Sequence, residues 1–113
     1  LPIMDLFTTR PIEEIEKAVF NAAKNNKLID VSPHATDMLS EKQRKVFKED
    51  ELISMIDKES PRKIYLQKNG RYAIYYRKSD GYRKLIIALG VDKLTIVTFM
   101  DLPELPRVKI KNE

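Results

Sequence analysis

The chain has 113 residues, 42% of them hydrophobic and 34% charged, with a formal net charge of +4. That fits one globular domain with one modest core, and no apolar run is long enough to span a membrane. There is no cysteine and a single histidine, His34, so disulfides, thiolate zinc sites, cysteine nucleophiles and His-rich metal centres are excluded.

Charge is unevenly spread. Residues 1–60 carry nine Lys/Arg against twelve Asp/Glu, whereas residues 61–113 carry twelve against five. A basic half suits a polyanionic partner: RNA, DNA, an acidic protein or an anionic membrane. It is equally what a solvated lysine-rich surface looks like.

Residues 1–10 read as an extended arm. The chain opens on Leu1 rather than Met, as a domain from a longer chain would, or one with residues 1–3 added artificially before Met4, and no signal-peptide pattern begins it. From 11 to 27, Ile12, Ile15, Val19, Ala22 and Ala23 recur at helical spacing. Pro11 suits a first turn, Glu13, Glu14 and Glu16 the positive end of the dipole, and Lys24 and Lys27 the negative end. Residues 28–31 read as a short apolar connection. Ser32 and Pro33 then resemble the cap and first residue of a second helix, with Ala35, Met38 and Leu39 inward. A third helix spans 49–58, with Leu52, Ile53 and Ile56 inward, and Pro61 follows its end.

The rest reads as strands. Residues 63–68 alternate, with Ile64 and Leu66 on one face and Lys63, Tyr65 and Gln67 on the other. Asn69-Gly70 is a strong hairpin signal. Further strands are expected at 72–78, 83–89 and 94–100, with a turn at Ser79-Asp80-Gly81. Pro103 and Pro106 break regular structure, and 102–113 reads as a basic tail, with a short edge strand at 107–111 as the alternative. The expected fold of the single domain, 1–113, is α+β. Helices from 11–60 pack on one face of a four-stranded antiparallel meander at 61–101, and the other face is free to form a shallow basic concavity.

Two groups of residues could carry chemistry. His34, at a helix start where backbone N–H groups meet anions, titrates near neutrality; a lone histidine there is also an ordinary surface or capping residue. On the predicted sheet, Lys63 and Tyr65 share one face of the first strand, and Arg71, Tyr75 and Arg77 one face of the second. Of Arg83 and Lys84 only one can join them. Between Arg62 and Lys84 lie eight basic residues and one acid, interleaved with Tyr65, Tyr72, Tyr75, Tyr76 and Tyr82. Cations grip phosphates and aromatic faces stack unpaired bases, although tyrosine and arginine also commonly decorate antiparallel strands. No phosphate loop, nucleophile elbow, zinc spacing or dinucleotide fingerprint is present, which argues against a nucleotide-cofactor enzyme. A carboxylate-only magnesium site stays open, but no tight acidic cluster marks the strand region, and no cofactor is expected.

The Ser32-Pro33-His34-Ala35 start, the helix at 49–58 and the strand run Leu94-Thr95-Ile96-Val97-Thr98-Phe99 together resemble BrnT-like domains. More distantly they resemble the RelE, MqsR and RegB endoribonucleases of the barnase–RelE-like superfamily. The resemblance covers roughly residues 30–101. By position it matches His34 to the family's helix-start histidine, Gly70-Arg71 to the opening of a strand and Thr98 to a threonine of the last strand. Met38 departs from it, standing where such domains often carry an arginine.

The resemblance implies a metal-free endoribonuclease toxin in which the RNA 2′-hydroxyl attacks the adjacent phosphate. His34 and Tyr75 would then move protons, Arg71, Arg77 and Lys84 clamp the phosphate, and Thr98 orient it; Lys63, Tyr65, Arg71 and Arg83 would bind RNA. Implied partners are an RNA substrate, tRNA or mRNA, and an acidic antitoxin or immunity protein. The site of action would be cytoplasmic, reached directly or by delivery as the tip of a larger secreted toxin. The rivals are a binding module without catalysis, and a protein-interaction domain gripping an acidic partner.

Overall fold

The computed structural model describes residues 11–25, 27–33 and 49–107. They form a six-stranded mixed sheet and two helices: β1 (Pro11–Glu14), α1 (Lys17–Lys24), β2 (Leu28–Val31), α2 (Glu49–Lys58), β3 (Lys63–Gln67), β4 (Tyr72–Lys78), β5 (Gly81–Leu89) and β6 (Lys93–Leu102). The strand order is β1-β3-β4-β5-β6-β2. Consecutive strands β3 to β6 pair antiparallel; β1 adds antiparallel to β3 at one edge and β2 parallel to β6 at the other.

This overturns the expected fold of N-terminal helices on a four-stranded antiparallel meander. Two segments read as helix or linker are the edge strands of a wider, mixed sheet. Residues 11–14 carry a helical spacing, but Ile12 and Val19, which help set it, are exposed. The segment instead pairs with β3, Glu13 opposite Leu66 and Glu14 opposite Tyr65. Pro11 has no N–H to give, which a strand at a sheet edge tolerates. Residues 28–31 are too short for periodicity to separate strand from link. Their pairing with β6 decides it, and it continues where the Leu28 N–H donates to the Asp92 carbonyl at 3.0 Å and the Ser32 N–H to the Ile96 carbonyl at 2.9 Å. The helix expected after Pro33, with Ala35, Met38 and Leu39, lies outside the described residues.

Both helices cover one face of the sheet. Phe20 of α1 and Leu52, Met55 and Ile56 of α2 pack with Ile64, Ile74, Tyr76, Leu85, Ile87, Leu94 and Ile96. Lys24 Nζ donates to the Ile56 carbonyl and so ties α1 to the end of α2. Phe20 is the buried residue of α1, so it carries most of that helix's attachment. Phe20→Ala is expected to cost about 3–5 kcal/mol in urea unfolding, the usual range for a buried phenylalanine; a loss below about 1 kcal/mol would mean that α1 does not rest on the sheet.

The far face is not the open concavity expected. Tyr65, Ala73, Tyr75, Ile86 and Val97 form a second buried cluster, with Ala88, Leu102 and Leu105 packed against it. Leu105 belongs to the segment after β6 that had read as tail, and it reaches back onto the sheet because the strand face beneath it is apolar.

Two turns fix the register near the candidate residues. Between β3 and β4, the Gly70 N–H donates to the Gln67 carbonyl at 2.9 Å, and Gly70 sits at φ +86°, where glycine is at ease. Between β4 and β5, Ser79 and Asp80 alone separate the paired residues Lys78 and Gly81. Gly81 has φ +153°, and a Cβ there would lie 2.4 Å from the Leu102 carbonyl oxygen.

Candidate nucleic-acid interface

Register builds the site. Lys63 of β3 stands opposite Tyr75 of β4, and Tyr75 opposite Lys84 of β5. Cross-strand partners share a face, so these three form one row across the far face. A second row runs Tyr65, Ala73, Ile86, Thr98. Arg77 pairs with Tyr82 one step further along. The structure therefore brings Lys63, Tyr65, Tyr75, Arg77, Lys84 and Thr98 to one side of the sheet.

Thr98 reaches that side through an irregularity. Strict alternation from the helix-facing Leu94 and Ile96 would put Thr98 under the helices. The register between β5 and β6 shifts at Ile86/Ile87, so Thr98 stands opposite Ile86 while Ile96 stands opposite Ile87. Val97 is the extra residue of this bulge, and bulges re-aim the side chains that follow.

The aromatic centre is closely packed. Tyr65 and Tyr75 meet edge to face, with ring centroids 5.9 Å apart at 78°, a favoured geometry. Lys84 Nζ lies 5.6 Å from the Tyr75 ring centroid, a cation–π contact. Burial leaves Tyr75 3% exposed, Tyr65 5% and Thr98 3%. Burial, with Tyr65 adding to it, pushes the Tyr75 phenol up to about 12. Such a phenol keeps its proton through neutral pH: it can donate a hydrogen bond but cannot serve as the base. Burial also raises Tyr65, against a lowering by Lys63. The same desolvation lowers Lys84 from the ordinary lysine value, because an ammonium short of water is less well stabilised.

The remaining cations divide by partner. Arg77 is exposed, its guanidinium 5.1 Å from the Tyr82 ring centroid. Lys63 makes a 3.2 Å ion pair with Glu14 across β1 and β3. Arg83 lies on the helix side, opposite Tyr76 and Asp101, and does not join the far face. Its Nε donates to Asp101 Oδ1 at 2.8 Å, and Lys78 Nζ donates to Oδ2 of the same carboxylate at 2.7 Å. Burial works to raise Asp101, but the hydrogen bonds from Arg83 and Lys78 outweigh it and hold the carboxyl below its usual range. Arg71 stands in the β3–β4 turn, its N–H donating to Asn69 Oδ1 at 3.0 Å and its carbonyl accepting from the Gln67 N–H at 2.8 Å. His34 lies outside the described residues.

Sequence reasoning missed Glu14 as the partner of Lys63, because 11–14 had read as helix. It also missed Asp101 as the partner of Arg83, although both residues sit on predicted or flanking strand positions where a register would have paired them. Among the described residues no three His, Cys, Asp or Glu gather closely enough to hold a metal ion, and no helix is long and apolar enough to cross a membrane.

The buried tyrosines give a pH signature. A phenol whose folded-state pKa is raised contributes stability that is complete below pH 10 and is lost as pH climbs toward 12. Tyr75 alone should account for about 2–3 kcal/mol of that loss. Lys84 has the opposite sign: its lowered pKa costs stability at neutral pH, and the cost is relieved before pH 10.5. Urea midpoints should therefore fall between pH 10 and 12, less steeply for Tyr75→Phe. A flat profile in the parent chain would contradict the burial of these rings.

No protein-family model, curated protein or solved structure matches this chain.

Proposed function

We propose that this chain is a metal-independent endoribonuclease of the toxin kind, acting through the far face of its sheet. The observation that carries the reading is the half-buried Lys84, set over the Tyr75 ring in one cross-strand row and sharing that face with the exposed Arg77. A poorly hydrated ammonium gives up little water when it meets a phosphate, and fixed charge aimed at developing charge is a large source of rate enhancement.

In the reaction, the RNA 2′-oxygen bonds to the adjacent phosphorus as the bond from phosphorus to the 5′-oxygen breaks. A base takes the 2′-hydroxyl proton, an acid protonates the leaving oxygen, and a cyclic phosphate remains. Lys84 and Arg77 hold the phosphate and Tyr75 donates a hydrogen bond to it. Thr98 orients the group from beneath. His34 is the proton-transfer residue, on the strength of its place in the Ser-x-His-Ala start. Lys63 and Arg83 are outside this clamp, because Glu14 and Asp101 already balance them. An acidic antitoxin or immunity protein is the partner this reading implies.

The near-complete burial of Tyr75 and Thr98 favours a second reading, an RNA-binding module of the same build that does not cleave. Both readings require salt-dependent binding. Anisotropy of a labelled single-stranded RNA should weaken steeply with salt, and Arg77→Ala and Lys84→Ala should each reduce the slope of log affinity against log salt by about one. Retained binding with intact RNA would select the module. Affinity indifferent to salt would count against both and favour an acidic protein as the partner.

A further inference from the structure

At the end of the sheet, a pocket of about 190 Å³ opens beside the β4–β5 turn, walled by Lys78, Asp80, Gly81, Tyr82, Leu102 and Pro103. At about 30 Å³ per water molecule, this is room for a planar heterocycle rather than a lone ion. We propose that it is a subsite for an unpaired RNA base carrying an exocyclic amine, next to the phosphate clamp; this rests on the ribonuclease reading above and adds the substrate's sequence preference to it.

Three features favour such a base. Tyr82 offers an aromatic wall and already carries the Arg77 guanidinium at 5.1 Å from its ring centroid, so base and phosphate recognition meet at one side chain. Stacking on an aromatic ring serves every base. Pro103 and Leu102 supply an apolar edge.

Discrimination comes from acceptors. Two carboxylates border the pocket, and they differ in what they have left to give. Asp101 is engaged by Lys78 at 2.7 Å and by Arg83 at 2.8 Å. Asp80 is 3.8 Å from Lys78, beyond hydrogen-bond distance, and its side chain is 82% exposed. Its oxygens are the acceptors available to an incoming donor. Gly81 packs its backbone against Leu102 at the pocket floor, where a Cβ would stand 2.4 Å from the Leu102 carbonyl oxygen, so the floor stays free of a side chain. Acceptors on a pocket rim favour bases with amino donors on their pairing edge and disfavour uracil, whose pairing edge is flanked by carbonyl oxygens.

The test uses 2′-O-methyl RNA hexamers, which cannot be cleaved by 2′-hydroxyl attack, in adenine, cytosine and uracil homopolymer forms, measured by anisotropy at low salt. The parent chain should bind the adenine or cytosine hexamer about tenfold more tightly than the uracil hexamer. Asp80→Ala, in an exposed turn, should bring that ratio close to one, and Tyr82→Ala should weaken all three by about tenfold. Equal binding of the three hexamers, with the ratio untouched by Asp80→Ala, would overturn the subsite and leave the ribonuclease reading standing. Failure of every hexamer to bind would overturn the RNA reading, and the subsite's ligand with it.

Discussion

Lys84→Ala should lower kcat/KM for RNA cleavage by about 10²–10³-fold, the usual effect of removing one preorganised charge from a phosphate-transfer site. Most of the loss should appear in kcat, because the cation matters most when charge accumulates on the phosphate. Lys84→Arg should recover only part of the rate: the guanidinium keeps the charge but not the compact fit over the Tyr75 ring. The pH profile gives a second readout. Burial lowers the Lys84 pKa below the ordinary lysine value of 10.5, so activity that needs its proton should decline on the alkaline side before pH 10.5. A Lys84→Ala protein with the parent's kcat would remove this residue from the mechanism.

His34→Ala should abolish detectable cleavage, a loss of about 10²–10⁴-fold or more, as expected for a general acid or base. RNA affinity should change little, since the exposed Arg77 and the Lys84 ammonium remain. The motive is the sequence: the chain's one histidine follows a Ser-Pro helix start. Full activity in His34→Ala would leave Lys84 and Tyr75 without a base, because a phenol pushed up to about 12 cannot take the 2′-hydroxyl proton near neutrality.

The C-terminal half was legible because its strands are long and their signals local. Alternation along 63–67 and 72–78, together with the Asn69-Gly70 and Ser79-Asp80-Gly81 turns, suffices to position β3, β4 and β5. The same alternation places Tyr75 and Arg77 on one face, but it left the choice between Arg83 and Lys84 open, and only the pairing of Tyr75 with Lys84 decides it. The N-terminal half was not legible, because its strands are four residues each and exist through partners far along the chain. Glu13 and Glu14 favour a helix start locally, yet Leu66 and Tyr65 hold them in a sheet. Ile29 and Val31 are strand residues only because β6 lies beside them. Thr98 was assigned to the site from family resemblance; strict alternation puts it on the wrong face, and the bulge at Val97 corrects that through tertiary pairing. Leu105 folds back to pack, with Ala88 and Leu102, against the cluster that holds Tyr65 and Tyr75, which a proline-broken segment does not announce.

The most direct test of the account is cleavage itself. A single-stranded RNA incubated with the full chain and excess EDTA should be cut, with products ending in 2′,3′-cyclic phosphate. A matched RNA carrying one 2′-deoxy nucleotide on the 5′ side of the mapped cut should survive at that position. Cutting of the deoxy-substituted RNA at the same bond, or RNA left intact by the parent chain, would contradict the account.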